Sequence, residues 1–556
     1  MLVKRVAISL VALAAFAAQA GAARAGVLTG QVRDESGAAV AGAMVTVTDA
    51  TRGLSDSVFS ARDGRFTLRT DLGGALGLRV RKPYFADYTT ELRVGGSDRI
   101  DVPVALKALK TDAEISDSLP SISHFAKIPF DQKGPFSRAQ FARDCLSCHA
   151  IGNSFTRWQR PAENWMPTVT RMHGYLGNTD AANMQRRAQL LAAGMDGTPA
   201  RSRPVFPVDP ALYRARIKQY RLDGAGVPHD AEVSHVDGKV YTVDMFVDAI
   251  IVTDLASGVS EQVPETADGM PPGGAFAKMG APAPYGLTIT RAPHSLAQGL
   301  DGKFYLTESI GGSIGAFDPA TRTFEHFDVG GGAVYPHSVR VDRKGIVWFT
   351  VAFSNHLGRF DPVTKEMKVI ALPPTPSTGV ACCAVPYGID VHPVDGSIWY
   401  TKLFSDKIGR VDPVTLAITE IDSPVEGPRR QRFDRTGTLW ITGFSRGEIA
   451  RLDTATRRAR VYTVPQFAPG EVPSPYALAV HPATQEVWIN DVNTDHVYRF
   501  IPGEERFVAY PMPLRGTYTR DFTFTKSGWA CTANNPIPAA ALEGQTPELI
   551  CIDPGE

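Results

Sequence analysis

Gly345-Ile346-Val347-Trp348-Phe349-Thr350 and, one turn later, Leu357-Gly358-Arg359-Phe360-Asp361-Pro362 are two words that this chain writes repeatedly. The first returns as Gly302-Lys303-Phe304-Tyr305-Leu306-Thr307, Gly396-Ser397-Ile398-Trp399-Tyr400-Thr401 and Gly437-Thr438-Leu439-Trp440-Ile441-Thr442. The second returns as Ile314-Gly315-Ala316-Phe317-Asp318-Pro319, Ile408-Gly409-Arg410-Val411-Asp412-Pro413 and Ile449-Ala450-Arg451-Leu452-Asp453. Weaker copies of the first word, at Gly238–Thr242, Glu486–Asn490 and Gly528–Cys531, bring the repeats to seven. Each spans about 47 residues, the length of a four-stranded blade, so the repeat predicts a seven-bladed β-propeller over 226–556.

Each word is preceded by a short segment that should start the innermost strand of its blade. The middle residues of these segments are His229, His294, His337, Tyr387, Arg429, Tyr476 and Arg520, and repeat symmetry puts all seven at one end of the central channel. Imidazoles on adjacent blades could bind a metal, and the guanidinium groups could hold an anionic or phenolic substrate; hydrated channel residues are the plainer alternative. His294, His337, Tyr387 and Arg429 are the candidate catalytic residues. Two interruptions of the repeat, 264–292 and 373–385, lead straight into inner strands and should fold over the same mouth. The second holds Cys382-Cys383, either a vicinal disulfide, two thiols or one cysteine pairing elsewhere, whereas Cys531 and Cys551 fall on successive strands and should staple the last blade.

A different chemistry sits at Asp144-Cys145-Leu146-Ser147-Cys148-His149. Cys-x-x-Cys-His is the attachment sequence of c-type haem: Cys145 and Cys148 add to the vinyl groups and His149 ligates the iron. A redox or metal-binding cysteine pair is the alternative. Ser137 is placed to cap a short helix that delivers the pair, and Asp180 to cap another helix running to Ala193. Trp165, Val169 and Met172 fall at i, i+4 and i+7, one helical face. These features predict an α-helical cytochrome c module over 135–225. The second iron ligand comes from Met166, Met172, His173, Met184 or Met195, with Met172 placed first and His173 next.

The remaining bounds are broad. At 556 residues the chain needs several domains, and 58 basic against 58 acidic residues give no reason to expect a nucleic-acid partner. Lys4 and Arg5, an apolar run from Val6 to about Ala18 and two Ala-x-Ala sites read as a signal peptide over 1–25, hence export to the periplasm. No later stretch is long and apolar enough to span a membrane. Short alternating segments between turn pairs such as Ser36-Gly37 and Asp63-Gly64 predict a small β-sandwich over 26–109, and 110–134 reads as a polar linker.

Three resemblances follow from these words. Gly30-Gln31-Val32-Arg33-Asp34, Ala41–Val47 and Asp63–Leu68 resemble the carboxypeptidase regulatory-like, transthyretin-like domain, a structural or adhesive module. The Trp-x-x-x-Val-x-x-Met pattern after the cysteine pair resembles small bacterial cytochromes c and haem-bearing quinoprotein domains, where the Met is an axial candidate. Pro386-Tyr387-Gly388, Trp399-Tyr400-Thr401 and Lys407–Pro413 are similar to the virginiamycin B lyase (streptogramin lyase) family of propellers. That family implies a His base with Glu residues holding magnesium. His294 and Glu308 match part of the pattern, but Val351, Lys402, Gly443 and Asp491 stand at the equivalent place in other blades.

The expected molecule is therefore mainly β and multidomain: a small β-sandwich, a helical cytochrome c module and a seven-bladed propeller. Its expected function is that of a periplasmic c-type haem protein. It acts as an oxidoreductase or electron-transfer component, binding a small substrate or a donor or acceptor protein at the propeller mouth. The alternatives are a non-enzymatic electron-transfer or binding protein and a lyase of the streptogramin type. Haem c is the expected cofactor, and no second cofactor is identified.

Overall fold

The computed structural model describes residues 26–175, 177, 180–281, 288–377 and 383–555; the predicted signal peptide and Cys382 lie outside the described residues. Inner strands start at a proline in six blades: Pro228–Val233, Pro293–Gln298, Pro336–Val341, Pro386–Val391, Pro428–Phe433 and Pro475–Val480. Each begins an antiparallel sheet in which the three strands that follow pair in succession, giving six four-stranded sheets.

Register explains why the two words travel together. Phe349 lies opposite Gly358 and Tyr400 opposite Gly409. A Cβ on Gly358 would stand 1.9 Å from the Phe349 ring, and one on Gly409 2.0 Å from that of Tyr400, so each ring lies flat across a strand that must have no side chain there. On the opposite face Trp348 pairs with Arg359 and Trp440 with Arg451, each guanidinium 5.9 Å from its indole centroid. The indole N–H groups donate to Asp342 at 3.0 Å and Asp434 at 3.3 Å, which ties each Trp to the turn before it. Both indoles are buried between blades.

The seventh blade is built differently. Its sheet runs Thr523–Phe524, Ala530–Asn534, Glu548–Asp553 and then Arg216–Arg221, a strand from before the first repeat. The propeller therefore starts at 216, ahead of the expected boundary at 226: the earlier strand closes the ring by covering an edge that would otherwise be open. Cys531 and Cys551 face each other in this blade and form a disulfide, as their placement on successive strands predicts.

The other edge of Arg216–Arg221 pairs with Leu54–Phe59, so the last blade continues into the N-terminal domain as one eight-stranded sheet. That sheet adds Met44–Asp49, Gly74–Arg81 and Tyr88–Val94. It packs on a second sheet, Gly26–Asp34 with Arg65–Thr70, Arg99–Asp101 and Val104–Leu106, around Leu28, Val45, Leu68 and Val80.

Five helices lie between sandwich and propeller: α1 Asp112–Ser118, α2 Ser121–Phe125, α3 Arg138–Cys145, α4 Ala162–Tyr175 and α5 Ala181–Gly194. The expectation of a linker over 110–134 is corrected by the first two. Thr111 and Glu114 make a capping box for α1, and Ile122, Phe125 and Ile128 pack against Phe141 and Leu146. The segment is polar on average, but Leu119, Ile122, Phe125 and Ile128 are buried. The α2 end is anchored by Ile122, whose N–H donates to Asn493 of the sixth inner-strand blade at 2.8 Å. Ser137 and Asp180 cap α3 and α5 as their sequence positions imply. No helix among the described residues is long and apolar enough to cross a membrane.

Ile217 is fully buried in the strand shared by blade and sandwich. Ile217→Ala should cost about 2–5 kcal/mol, read as a lowered denaturant midpoint. A change within about 0.5 kcal/mol would mean that this strand does not close the ring.

Candidate functional site

All seven residues of the expected ring line one cavity of about 660 Å³, together with Cys145, Cys148 and His149. The helices form its other wall through Trp165, Val169, Met172 and His173 of α4 and Leu191 of α5. The cysteine loop thus sits over the hub of the propeller.

The loop is held there by side chains from the last blades. Arg429 donates to the Ser147 carbonyl at 2.7 Å and to its hydroxyl at 3.2 Å. Arg520 donates to the Cys148 carbonyl at 3.1 Å, and Tyr518 donates to the carbonyls of Leu146 and Ser147 at 2.8 and 3.0 Å. The sequence reading offered the arginines to a substrate, whereas much of their donor capacity is used on this backbone. Tyr518 escaped that reading because it lies two residues ahead of the repeat-register position held by Arg520.

His229, His294, His337 and Tyr387 form a contiguous aromatic arc, with successive ring centroids 3.8, 4.0 and 3.9 Å apart. The Nδ1 atoms are engaged: His229 with Asp230, His294 with the His337 carbonyl and His337 with the Ser338 hydroxyl. Burial holds all three imidazoles far below their ordinary range, His294 down to about 3, and the nearby arginines add to the effect. They are neutral rings, and the Nε2 atom of His229 is buried without a hydrogen-bond partner.

Neither Cys145 nor Cys148 is in a disulfide. Burial pushes the Cys145 thiol up to about 11, against the pull of Arg187, which donates to its sulfur at 3.2 Å and to Asp144 at 2.5 Å. His149 Nδ1 lies 3.0 Å from the Ala150 carbonyl, a bond that makes Nδ1 the donor and leaves Nε2 as the basic nitrogen. On α4 the buried positions are Trp165, Val169 and His173, so the helical face extends to i+8, with Met172 half-buried beside it. Both ring nitrogens of His173 are buried with no hydrogen-bond partner, and burial lowers its pKa to about 4. Leaving such a group unpaired costs about 1–3 kcal/mol, so the position suits a ligand that accepts a lone pair. Arg160, which also lines the cavity, stacks 3.7 Å over Trp165 and makes no ion pair among the described residues. It suits a carboxylate. Residues of these types fit a haem held by Cys145, Cys148 and His149.

Among the described residues, one His and carboxylate group converges closely enough to hold a metal ion: Glu265, Glu308 and His326, outside the cavity lining. Glu308 accepts from Arg291 at 3.1 Å and from Ser313, and lies 2.6 Å from His326 Nδ1. His294 is engaged with its ring neighbours instead, and among the described residues no hydrogen bond or ion pair joins it to Glu308, the pair that the lyase resemblance singled out. Cys383 is disulfide-bonded.

Residues 284–466 match the model of the Virginiamycin B lyase family, and residues 27–107 that of the Carboxypeptidase regulatory-like domain. No curated protein matches the chain. Among solved structures, virginiamycin B lyase from Staphylococcus aureus is 16% identical, with 61% of this chain and 99% of that one covered at a TM-score of 0.48. A streptogramin B lyase structure is 17% identical, covering 61% and 98% at 0.49. Kuenenia stuttgartiensis hydrazine synthase is 12% identical, covering 57% and 94% at 0.43. The chain carries a virginiamycin B lyase-like propeller domain and an N-terminal carboxypeptidase regulatory-like domain.

Arg429→Leu should loosen the loop that this side chain holds. Hydrogen exchange of the peptide spanning 144–150 should quicken at least tenfold, with the blade strands unchanged; equal protection in both proteins would assign the clamp elsewhere.

Proposed function

We propose that this chain is a periplasmic c-type haem protein whose propeller mouth forms one wall of the haem site. One observation carries the reading: two thiols outside any disulfide, an imidazole whose Nδ1 is committed to a backbone carbonyl and a second imidazole with both nitrogens unpartnered all line a single cavity. When bound, haem would supply one-electron chemistry at its iron.

The chain's own residues take distinct parts. Cys145 and Cys148 would anchor the group by thioether bonds, and Arg187 orients the Cys145 sulfur. His149 offers Nε2 from the side of the loop, because its Nδ1 is committed to Ala150. His173 is better disposed than Met172 as the second ligand, since it is the buried member of the pair. Trp165, Val169 and Leu191 exclude water from the helical side. Phe155 and Trp158 reach from the cavity lining to the surface, 50% and 66% exposed, where a periplasmic donor or acceptor protein could exchange an electron with the site. Joining carrier and propeller in one chain raises the effective concentration of each at the other.

A second reading, elimination of the streptogramin lyase type or simple binding at the mouth, is favoured by the family match over 284–466 and by the position of His294 in the cavity. Ring opening of a streptogramin B by the purified chain with magnesium, lost in His294→Ala, would establish it.

Produced in a host that matures c-type cytochromes, the protein should be red, keep its colour through acid-acetone extraction and lose covalent haem in Cys145→Ala/Cys148→Ala. His173→Ala should change the axial-ligand spectrum where Met172→Ala leaves it. A colourless preparation sinks the haem reading.

A further inference from the structure

Two fully buried arginines without an anion are an electrostatic anomaly. Arg429 and Arg520 are 1% and 3% exposed, and among the described residues neither pairs with a carboxylate. Arg430, the neighbouring cation in the hub, is different: it is neutralised by Asp230 and Asp521 at 2.8 and 2.6 Å.

The two unneutralised cations converge on one phenol. Arg520 donates to the Tyr476 oxygen at 3.1 Å, and the Arg429 guanidinium carbon stands 3.9 Å from the ring centroid. The Tyr387 and Tyr476 hydroxyls lie 2.7 Å apart, and Arg429 donates to the Tyr387 oxygen at 2.5 Å. Tyr387 therefore has its lone pair occupied by a donor and its proton available for Tyr476. A phenol surrounded only by donors is placed to be an acceptor.

We propose that Tyr476 is the ionisable anion of the cavity: a phenolate held by Arg429 and Arg520 that takes up one proton when the cavity gains one negative charge. This deepens the haem reading and rests on it for the source of that charge. The step balances as Tyr476–O⁻ plus a proton giving Tyr476–OH, while one electron from a one-electron reductant enters the metal centre.

The surroundings of Tyr476 agree from every side. Burial alone would raise the phenol, but Arg520, Arg429 and Arg430 outweigh it and bring it down to about 8. Tyr387 moves the opposite way, raised by burial, and the Tyr518 phenol is likewise raised by burial. His337, which packs on Tyr387, is neutral. Asp230 and Asp521 are turned to Arg430. Of the three phenols, only Tyr476 is disposed to lose its proton near neutrality.

The test uses the purified full chain, wild type and Tyr476→Phe. Between pH 6 and 9 the wild type should gain one tyrosinate by ultraviolet difference absorption with a midpoint near 8, absent in Tyr476→Phe and shifted up by at least one pH unit in Arg520→Gln. Superimposable curves overturn the assignment. Spectroelectrochemical titration tests the coupling. Above about pH 8 the potential should fall by about 59 mV per pH unit, a tenfold change in the equilibrium constant per unit, and Tyr476→Phe should be flat. An unchanged slope in that variant overturns the coupling. A colourless protein that still shows the early tyrosinate removes the haem reading and the coupling, and keeps the phenolate.

Discussion

The hydrogen bonds from Arg429, Arg520 and Tyr518 to the carbonyls of Leu146, Ser147 and Cys148 are the contacts on which the site depends. A short loop outside regular structure would otherwise pick its own conformation. Charge-assisted donors from a rigid ring remove that freedom, and they do so in a buried setting where each bond is worth more than in water. The loop that bears the two thiols and His149 is positioned by the propeller as much as by its own helix.

The propeller can act as such a support because its ring is closed. Arg216–Arg221 serves as outer strand to the last blade and as edge strand to the sandwich, so the N-terminal domain is continuous with the hub. Helix α2 is tied to the propeller as well, with the Ile122 N–H bonded to the Asn493 carbonyl. The shared strand ties sandwich to propeller, and the cavity lies between the helices and the propeller hub.

The cavity's electrostatics follow from that enclosure. Neutral imidazoles on one arc and cations on the other divide the wall into two halves. The imidazoles are neutral because burial disfavours charge and the arginines repel it. The proposed haem would be bounded by both halves, and Tyr387 stands where they meet, between His337 and Arg429.

Local structure was legible in the sequence. The blade words, the Ser137 and Asp180 caps and the seven-residue ring all depend on spacing along the chain, and spacing survives folding unchanged. Contacts between segments distant in sequence were not legible. The closing strand at 216–221 has no copy of the repeat words, and α1 and α2 were hidden by a polar average. Met172 and His173 fall within one turn of the same helix, and only the packing of α4 against the cavity makes His173 the more buried of the two. The arginine clamp joins residues more than 280 apart in the chain. Its existence depends on where the loop lands on the ring, which is a property of the tertiary structure.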